Sequence, residues 1–318
     1  MENNNKWMVC VQCMTYNQAP YIVDALNGFT MQETTFPFVC CIIDDASTDG
    51  EPEIIDRYME VHFDLDDVSS ARREETDDYS MLFARHKTNK NCYFAVLFLK
   101  YNHYSSFEIK MRKLRYISRW LENAKYIAVC EGDDYWIDPR KMQKQVDFLE
   151  KDQDYGLVRT NINRLHQADG IMEKRFFSGS KMKDTHSDYI YNSWFAAPCT
   201  WLYRNKYFQL ILEEKAKITK IGGFSGDLAS ILTISKYSKI KYLDEVTAVY
   251  RILDKSASHF ESEIQWKLFQ KKLYITRRYF ADKQSVFTRI KLEFFIAYKE
   301  LRVFIHKNKE RFLKIIKL

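Results

Sequence analysis

The stretch YIAVCEGDDYWID, Tyr126–Asp138, joins an apolar run of strand character to a cluster of three carboxylates. Glu131, Asp133 and Asp134 follow the run directly. Because crowded like charges repel, a carboxylate cluster that faces a cleft usually holds a cation or hydrogen-bond donors. Acidic turns in water are also common after strands. The segment alone leaves both interpretations open, so the rest of the chain has to decide between them.

The composition is that of a globular protein. The chain has 318 residues, of which 46% are apolar, and its nine Gly and five Pro form no linker or repeat. The opening MENNNKWMVC shows no secretory signal, and no apolar run is long enough to span a membrane. Most of the seven cysteines lie in apolar strand-like runs, which predicts reduced, buried thiols and a cytoplasmic location.

The positive charge is concentrated at the C-terminal end. Residues 286–318 contain nine Lys or Arg and three Glu, which equals the net charge of +6 of the whole chain. Apolar residues recur there at helical spacing: Phe294, Tyr298, Leu301, Ile305, Phe312 and Ile316. This pattern predicts a basic amphipathic helix. Such a helix can contact the inner face of the cell membrane or an acidic partner, or it can pack its apolar stripe on its own domain.

Strand and helix signals alternate in the first half of the chain. Strand-like Trp7–Thr15 precedes a helical pattern that begins near Pro20, and a second strand, 36–43, precedes a helix that begins at Pro52. This order predicts a parallel sheet covered by helices.

Three later segments also carry expectations. The acidic segment 64–78 is expected to be a solvated loop. Two short strands are expected at 240–243 and 246–252, and the sequence pattern changes near residue 155.

Two predicted strands therefore end in carboxylates, Asp44 and Asp45 in the first case and the Glu131 cluster in the second. In a parallel sheet both ends lie at the same edge, where ligands bind. Mg²⁺ and Mn²⁺ prefer carboxylate and phosphate oxygens, so a divalent cation could bridge this edge to a diphosphate. The first strand is followed by TYNQAP, without a glycine-rich phosphate loop. Phosphate binding is therefore expected to depend on metal.

The chain resembles the family 2 glycosyltransferases of the GT-A fold. The resembling segments, between about residues 8 and 252, are CMTYNQAPYI, IIDDASTDG, YIAVCEGDDYWIDPRKMQKQVDFLE, FSGDLA and YLDEVTAVYR. The resemblance implies an α/β protein with a Rossmann-like, mostly parallel sheet flanked by helices and a mainly helical, basic C-terminal segment. It also implies a glycosyltransferase domain at 1–255, with a nucleotide-binding half at 1–155 and an acceptor half at 156–255, followed by an extension at 256–318.

The resemblance implies roles for the residues at the two strand ends. Asp45 would contact the nucleobase of a nucleotide-sugar donor, and Thr15 and Tyr16 would border the nucleotide. Asp133 would bind Mn²⁺ or Mg²⁺.

Glu131 and Asp134, beside the metal ligand, would contact sugar, ribose or metal-bound water. Glu131 departs from the aspartate that is commoner in the family, and its longer side chain can still reach a cation or a sugar hydroxyl.

Two further residues match the family downstream of the metal motif. Asp227, in GGFSGDLASIL, matches the catalytic base, and nearby glycines with a helix N-terminus suit a ligand that approaches closely. A simple helix cap is the alternative. Arg251 lies where the family closes a loop over the diphosphate, although a surface ion pair is the commoner role of an arginine at a strand end.

The implied activity is inverting transfer of one sugar from a nucleotide-sugar donor, with UDP favoured, to a hydroxyl of a glycan or lipid-linked glycan in surface-polysaccharide synthesis. No Q-x-x-R-W follows Asp227, which favours single transfer over polymerisation, and no nucleic acid is expected as a partner. A sugar-phosphate nucleotidyltransferase is less favoured, because TYNQAP is neither glycine-rich nor basic. A degenerate, non-catalytic member that binds membranes or partners through 286–318 stays an alternative.

Overall fold

The computed structural model describes residues 6–104, 107–178, 183–191, 197–224, 226–253 and 262–316. In this part of the chain the strands are β1 Trp7–Thr15, β2 Phe38–Asp44, β3 Arg72–Glu75, β4 Tyr79–Arg85, β5 Cys92–Leu99, β6 Ala124–Val129, β7 Tyr135–Trp136, β8 Tyr155–His166, β9 Ile171–Glu173, β10 Leu202–Arg204 and β11 Lys239–Ile252. The α-helices are α1 Ile22–Thr30, α2 Glu51–His62, α3 Phe107–Tyr116, α4 Ser118–Leu121, α5 Lys141–Lys151, α6 His186–Tyr191, α7 Phe208–Lys220, α8 Asp227–Tyr237, α9 Glu263–Asp282 and α10 Val286–Ile316. Two short 3-10 turns cover Pro198–Thr200 and Asn205–Tyr207.

All the strands join one mixed sheet in the order β3-β4-β5-β2-β1-β6-β10-β8-β11-β7, with β9 beside β8. Strands β5, β2, β1 and β6 form a continuous parallel block at its centre. Every residue of β2 is buried, which is typical of a parallel strand covered on both faces. The structure confirms the predicted α/β class, with a mostly parallel sheet, flanking helices and a helical C-terminal part.

Helix α1 approaches the sheet closely because it carries a glycine at the contact. A Cβ atom at Gly28 would lie 2.8 Å from the backbone nitrogen of Trp136 in β7. The Trp136 indole in turn packs edge-on against Phe29, with ring centroids 4.9 Å apart. This contact fixes β7, the short strand that immediately follows residues 131–134, which we call the EGDD loop.

Two expectations about strands are corrected. The acidic segment 64–78 is not wholly a loop, because Arg72–Glu75 pairs with β4 at the edge of the sheet. A charged edge strand lacks the apolar alternation that predicts strands. The two strands expected near Leu243 and Val246 are one strand, β11, whose register with β8 shifts between them. Sequence analysis also left out β5, which pairs with β2 at one end of the parallel block.

The described chain separates into two compact units, each assembled from three segments. The first unit comprises Met1–Lys181, Ala196–Leu210 and Tyr237–His259, and it contains the whole sheet. The second comprises Met182–Phe195, Ile211–Lys236 and Phe260–Leu318, and it is helical where described. The predicted boundary at residue 155 stays a prediction, and the one at 255 lies outside the described residues. None of the described helices combines the length and apolar character needed to cross a bilayer.

Candidate active site at the sheet edge

The carboxyl ends of β1 and β2 lie side by side. Thr15, the last residue of β1, is in register with Asp44, the last residue of β2. The next backbone N–H along the chain, that of Asp45, donates to the Thr15 carbonyl over 3.0 Å. The polar sequence after each strand therefore starts at the same edge of the sheet, as the parallel order predicts.

The loop after β6 continues along β1 on its other side. The N–H of Cys130 donates to the Gln12 carbonyl over 3.0 Å, and the N–H of Gly132 donates to the Met14 carbonyl over 3.2 Å. The backbone of the loop is thereby fixed beside the end of β1. The structure thus brings Asp45 and the loop that carries Asp133 to flanking positions at this edge.

Only glycine fits at position 132 without rearrangement. A Cβ atom there would lie 2.4 Å from Oγ1 of Thr15 and 2.5 Å from Oε1 of Gln18. Such distances are far below van der Waals contact. The glycine between Glu131 and Asp133 therefore allows the loop to pass directly over the end of β1.

A buried glutamate that sequence analysis did not identify holds this edge together. Glu51, at the start of α2, is inaccessible to solvent. Its carboxylate accepts hydrogen bonds from the Thr15 hydroxyl, from the Gln18 N–H at 2.9 Å and from the Ser47 hydroxyl at 2.9 Å. The Glu51 side chain thus connects the end of β1, the segment after it and the loop DDASTDG, residues 44–50. An acid in the first turn of a helix is ordinarily explained by the helix dipole, so its sequence position gave no signal of this role.

Asp45 is buried and paired within the first unit. Its Oδ1 accepts the backbone N–H of His103 over 2.7 Å, and its Oδ2 lies 2.8 Å from Nζ of Lys113 in α3. Only 3% of Asp45 is exposed. The residue predicted to read the nucleobase is therefore also the anchor of the segment that leads into α3.

Asp44 is slightly more buried than Asp45, and its carboxylate has fewer hydrogen-bond partners. Its Oδ2 accepts the Ser47 N–H over 3.2 Å, whereas its Oδ1 is buried without a partner among the described residues. Desolvation raises the pKa of Asp44 to about 6, although the bond from Ser47 acts in the opposite direction. Ala46, two residues after Asp44, has a φ of 61°, a conformation that is strained for a residue with a Cβ atom.

The three carboxylates of the EGDD loop differ in their surroundings. Glu131 is exposed, Asp133 is partly buried and Asp134 is 5% exposed. Burial raises the pKa of Asp133, while its own backbone N–H and Arg251 oppose that shift. Burial and the neighbouring Asp133 raise the pKa of Asp134 well above its ordinary value. Burial of these side chains thus increases along the loop, from Glu131 at the surface to Asp134 in the interior.

Arg251, in β11, is tied to the loop rather than extended into solvent. Its guanidinium donates to the Asp133 carbonyl over 2.7 Å and to the carboxylate of Asp24 in α1. It lies over the rings of Tyr135 and Tyr21, at 4.5 and 5.1 Å from their centroids. The arginine predicted to contact a diphosphate thus fastens the carboxylate loop to a helix.

Thr15 and Tyr16, the residues predicted to border a nucleotide, lie at the end of β1 and directly after it. Thr15 is buried, and its hydroxyl lies 2.8 Å from Gln18 Oε1. Tyr16 is 47% exposed, so its ring is accessible at the edge of the sheet.

Asp227 belongs to the second unit, where it is the first residue of α8. The preceding chain turns at Gly222, whose φ of 76° follows the end of α7. The residue keeps part of its surface exposed. Desolvation of its carboxyl nevertheless raises the pKa of Asp227, and only Lys215 opposes the shift. A carboxylate with a raised pKa is a stronger base than one in water.

The described residues contain no group of three or more His, Cys, Asp or Glu side chains arranged to hold a metal ion. Mg²⁺ is usually bound by one or two carboxylates, with water and substrate phosphates completing the shell. Asp133, with the exposed Glu131 two residues before it, matches that smaller donor set. The residues therefore fit a cation that a bound diphosphate helps to hold.

Comparison with known sequences gives two results. The family model described as glycosyl transferase family 2 matches residues 10–80, from β1 into β4, and it ends before the EGDD loop. The uncharacterized proteins Rv1520 of Mycobacterium tuberculosis and Mb1547 of Mycobacterium bovis are each 30% identical over 193 residues, or 61% of this chain. The chain matches 46% of the length of these curated relatives, which is about half of each.

Solved structures share the fold. TarS from S. aureus, as residues 1–349 in complex with UDP-GlcNAc, aligns with a TM-score of 0.54 at 16% identity, over 91% of this chain and 70% of that one. A longer TarS structure aligns with a TM-score of 0.51 at 14% identity, over 91% of this chain and 42% of that one. The family match at residues 10–80 and the shared architecture together show that the chain has the GT-A fold of the family 2 glycosyltransferases.

Proposed function

We propose that the chain is an inverting glycosyltransferase that moves one sugar from a UDP-linked donor to a hydroxyl of a surface-glycan precursor. The observation that carries the proposal is the position of the EGDD loop, which is hydrogen-bonded along β1 beside Asp45 at the carboxyl edge of a GT-A sheet. This is the edge at which open α/β sheets bind ligands. TarS, which shares the fold, binds UDP-GlcNAc, so a nucleotide-sugar donor is the first class to test.

The donor would lie over the ends of β1 and β2. Each oxygen of a carboxylate can accept two hydrogen bonds, so Asp45 can receive a nucleobase N–H while it stays paired with Lys113. The accessible ring of Tyr16 can border the nucleotide, and Thr15 shapes the edge beneath it. Asp134 would contact the sugar, the ribose or metal-bound water. Its carboxylate is held in place by the backbone N–H of Arg251, which donates to it.

Asp133 would hold Mn²⁺ or Mg²⁺ together with the donor diphosphate, with Glu131 near the sugar or the metal-bound water. Such a cation offsets the negative charge that develops on the departing diphosphate. Arg251 holds the Asp133 carbonyl, so it would set the position of the ligand, and its positive charge would favour the donor diphosphate.

Asp227 would be the catalytic base. Its carboxylate takes the proton of the acceptor hydroxyl as that oxygen forms a bond to the anomeric carbon. The bond from this carbon to the diphosphate oxygen breaks, and the electron pair leaves with the nucleoside diphosphate. A single displacement inverts the anomeric centre. The raised pKa of Asp227 supports this role.

The proposed setting is the cytoplasm, where nucleotide sugars are made and thiols stay reduced. All seven cysteines are free and buried, which suits that compartment. A lipid-linked glycan acceptor would be met at the inner face of the cell membrane.

The test is transfer or slow donor hydrolysis with Mn²⁺ across a panel of nucleotide sugars, followed by mass spectrometry. Asp227→Asn should lower turnover at least about a hundredfold while nucleotide binding persists. Asp169→Asn, a change of an exposed aspartate, is the control and should keep full activity. No turnover of any donor, or full activity of Asp227→Asn, would overturn the proposal. If calorimetry showed no metal-dependent nucleotide binding, a non-catalytic binding module would be favoured instead.

A further inference from the structure

Helix α10 carries apolar residues on two opposite faces. On one face Leu292 is fully buried and Ile296 is 3% exposed. The neighbouring Phe295 packs edge-on against Tyr191 of α6, with ring centroids 6.5 Å apart. This face secures the helix to the second unit.

The opposite face is exposed along its described length. Its large apolar side chains are between 49% and 75% accessible: Phe287, Ile290, Phe294, Tyr298, Leu301 and Ile305. Their spacing of three or four residues places them in one stripe along the helix, which we call the outer stripe. Four of these residues belong to the apolar stripe identified in the sequence. The alternative that this stripe packs on its own domain is therefore wrong for the described residues.

Charges around the outer stripe are asymmetric. Lys291 and Arg302 are exposed and lie beside the stripe on the helical projection. Glu293 points elsewhere, since it pairs with Arg278 of α9 at 2.7 Å and with Arg289 at 2.7 Å. The whole segment 286–318 has nine basic and three acidic residues. The stripe is thus an apolar band flanked by positive charge.

A second copy of the chain is a poor match for this surface. In an antiparallel two-fold pairing of this helix the basic flank of each copy would meet the basic flank of the other. An anionic bilayer offers both complements, because its headgroups attract the lysine and arginine while its acyl boundary accepts the apolar side chains. An interfacial helix of this kind lies in the plane of the membrane and does not cross it.

We propose that the outer stripe of α10, with Lys291 and Arg302, binds the surface of an anionic lipid membrane. The outer stripe contains no residue of the proposed donor site or catalytic base, so the vesicle experiment and the transfer assay can fail separately. It would place the enzyme where a lipid-linked acceptor is found.

The experiment is flotation of the full chain with phosphatidylcholine vesicles that contain or lack phosphatidylglycerol, at low and high salt. The wild type should float with the anionic vesicles and less so at high salt. The double variant Phe294→Ser, Leu301→Ser should bind at least about tenfold more weakly. The variant Lys291→Gln, Arg302→Gln should lose the preference for anionic vesicles.

The control replaces exposed valines of the first unit, Val61→Ser and Val68→Ser, which are 58% and 88% accessible. Circular dichroism melting of every variant checks that the fold is kept. Equal vesicle binding by the outer-stripe variant would overturn the proposal. So would light scattering that shows a wild-type oligomer which the outer-stripe variant dissolves, with no binding of either protein to vesicles, because a second copy would then cover the stripe.

Discussion

The backbone N–H of Arg251 donates to Oδ1 of Asp134 over 2.9 Å, so strand β11 holds the EGDD loop through the chain itself. The guanidinium of the same residue donates to the carbonyl of Asp133. One residue therefore fixes two successive positions of the loop, by its main chain and by its side chain. Replacing the side chain removes only the second of these contacts.

We expect Arg251→Met to lower the free energy of unfolding by about 2 kcal/mol, because the Asp133 carbonyl and Asp24 lose a charged donor. Mn²⁺ affinity should fall about tenfold, as is usual when a residue that supports a metal ligand is removed. Urea denaturation and calorimetry with Mn²⁺ and nucleotide measure the two effects. Arg140→Met, at an exposed position, is the matched control and should change neither. Unchanged Mn²⁺ affinity in Arg251→Met would mean that the arginine has no part in positioning the loop.

Glu51→Gln should destabilise the first unit by about 2 kcal/mol, since the amide offers one acceptor oxygen where the carboxylate serves three donors in the buried site. Glu53→Gln changes an exposed acid in the same turn of α2 and should be neutral. Chemical denaturation of the two variants gives the comparison. Equal stability of the two would contradict the bridging role of Glu51.

Asp44 should make stability fall as the pH rises from about 4 to about 6. Its folded pKa of about 6 lies above the ordinary value of 3.8, so the folded state binds the extra proton in that window. The penalty is complete above the folded pKa. Asp44→Asn removes it and keeps an acceptor for Ser47, so the variant should gain up to about 3 kcal/mol at neutral pH.

Thermal or urea unfolding at several pH values tests this expectation. The difference between Asp44→Asn and the wild type should be small below pH 4 and should grow toward neutral pH, whereas the exposed control Asp56→Asn should show no such trend. A constant difference across the series would exclude Asp44 as the source.

Gly132→Ala should cost about 2 kcal/mol or more and should weaken nucleotide binding, because the new methyl group collides with Thr15 and Gln18. Gly50→Ala is the informative comparison. Gly50 has open space around it but a φ of 90°, so its substitution should cost about 1 kcal/mol through backbone strain alone. Nucleotide binding that survives Gly132→Ala unchanged would show that the loop can move aside.

Lys113 and Asp45 should be coupled. A double-mutant cycle with Lys113→Met and Asp45→Asn should give an interaction free energy of about 1–3 kcal/mol, since the pair is buried at 2.8 Å. The exposed pair Lys239 and Asp154, at 2.7 Å, is the matched control and should give less than about 1 kcal/mol. A coupling for the buried pair no larger than this control would contradict the anchoring role of Asp45.

The sequence predicted the features that depend on local pattern. Apolar runs such as Trp7–Thr15 and carboxylates after strands suffice to infer a parallel sheet with an acidic edge, and the structure confirms that fold. The charged strand Arg72–Glu75 could not be found in this way, because its composition does not predict a strand and it becomes one only by pairing with β4.

The supporting residues of the site depend on distant contacts. Glu51 is 36 positions from Thr15, and Arg251 is 118 positions from Asp133. No spacing rule joins such pairs, so only the folded chain shows that the glutamate bridges loops and that the arginine faces inward. The roles assigned to Asp45, Asp133 and Asp227 stay predictions that the proposed assays address.

Glu131 is the carboxylate of the EGDD loop that is exposed to solvent. Its neighbours are constrained by the fit of Gly132 over Thr15 and by the bond from Arg251 to Asp133, whereas the Glu131 side chain is exposed. Shortening it to aspartate should change how far a carboxylate reaches without moving the loop. If Glu131 contacts the donor as proposed, the departure from the commoner aspartate is a place where donor preference can change, in evolution or by engineering.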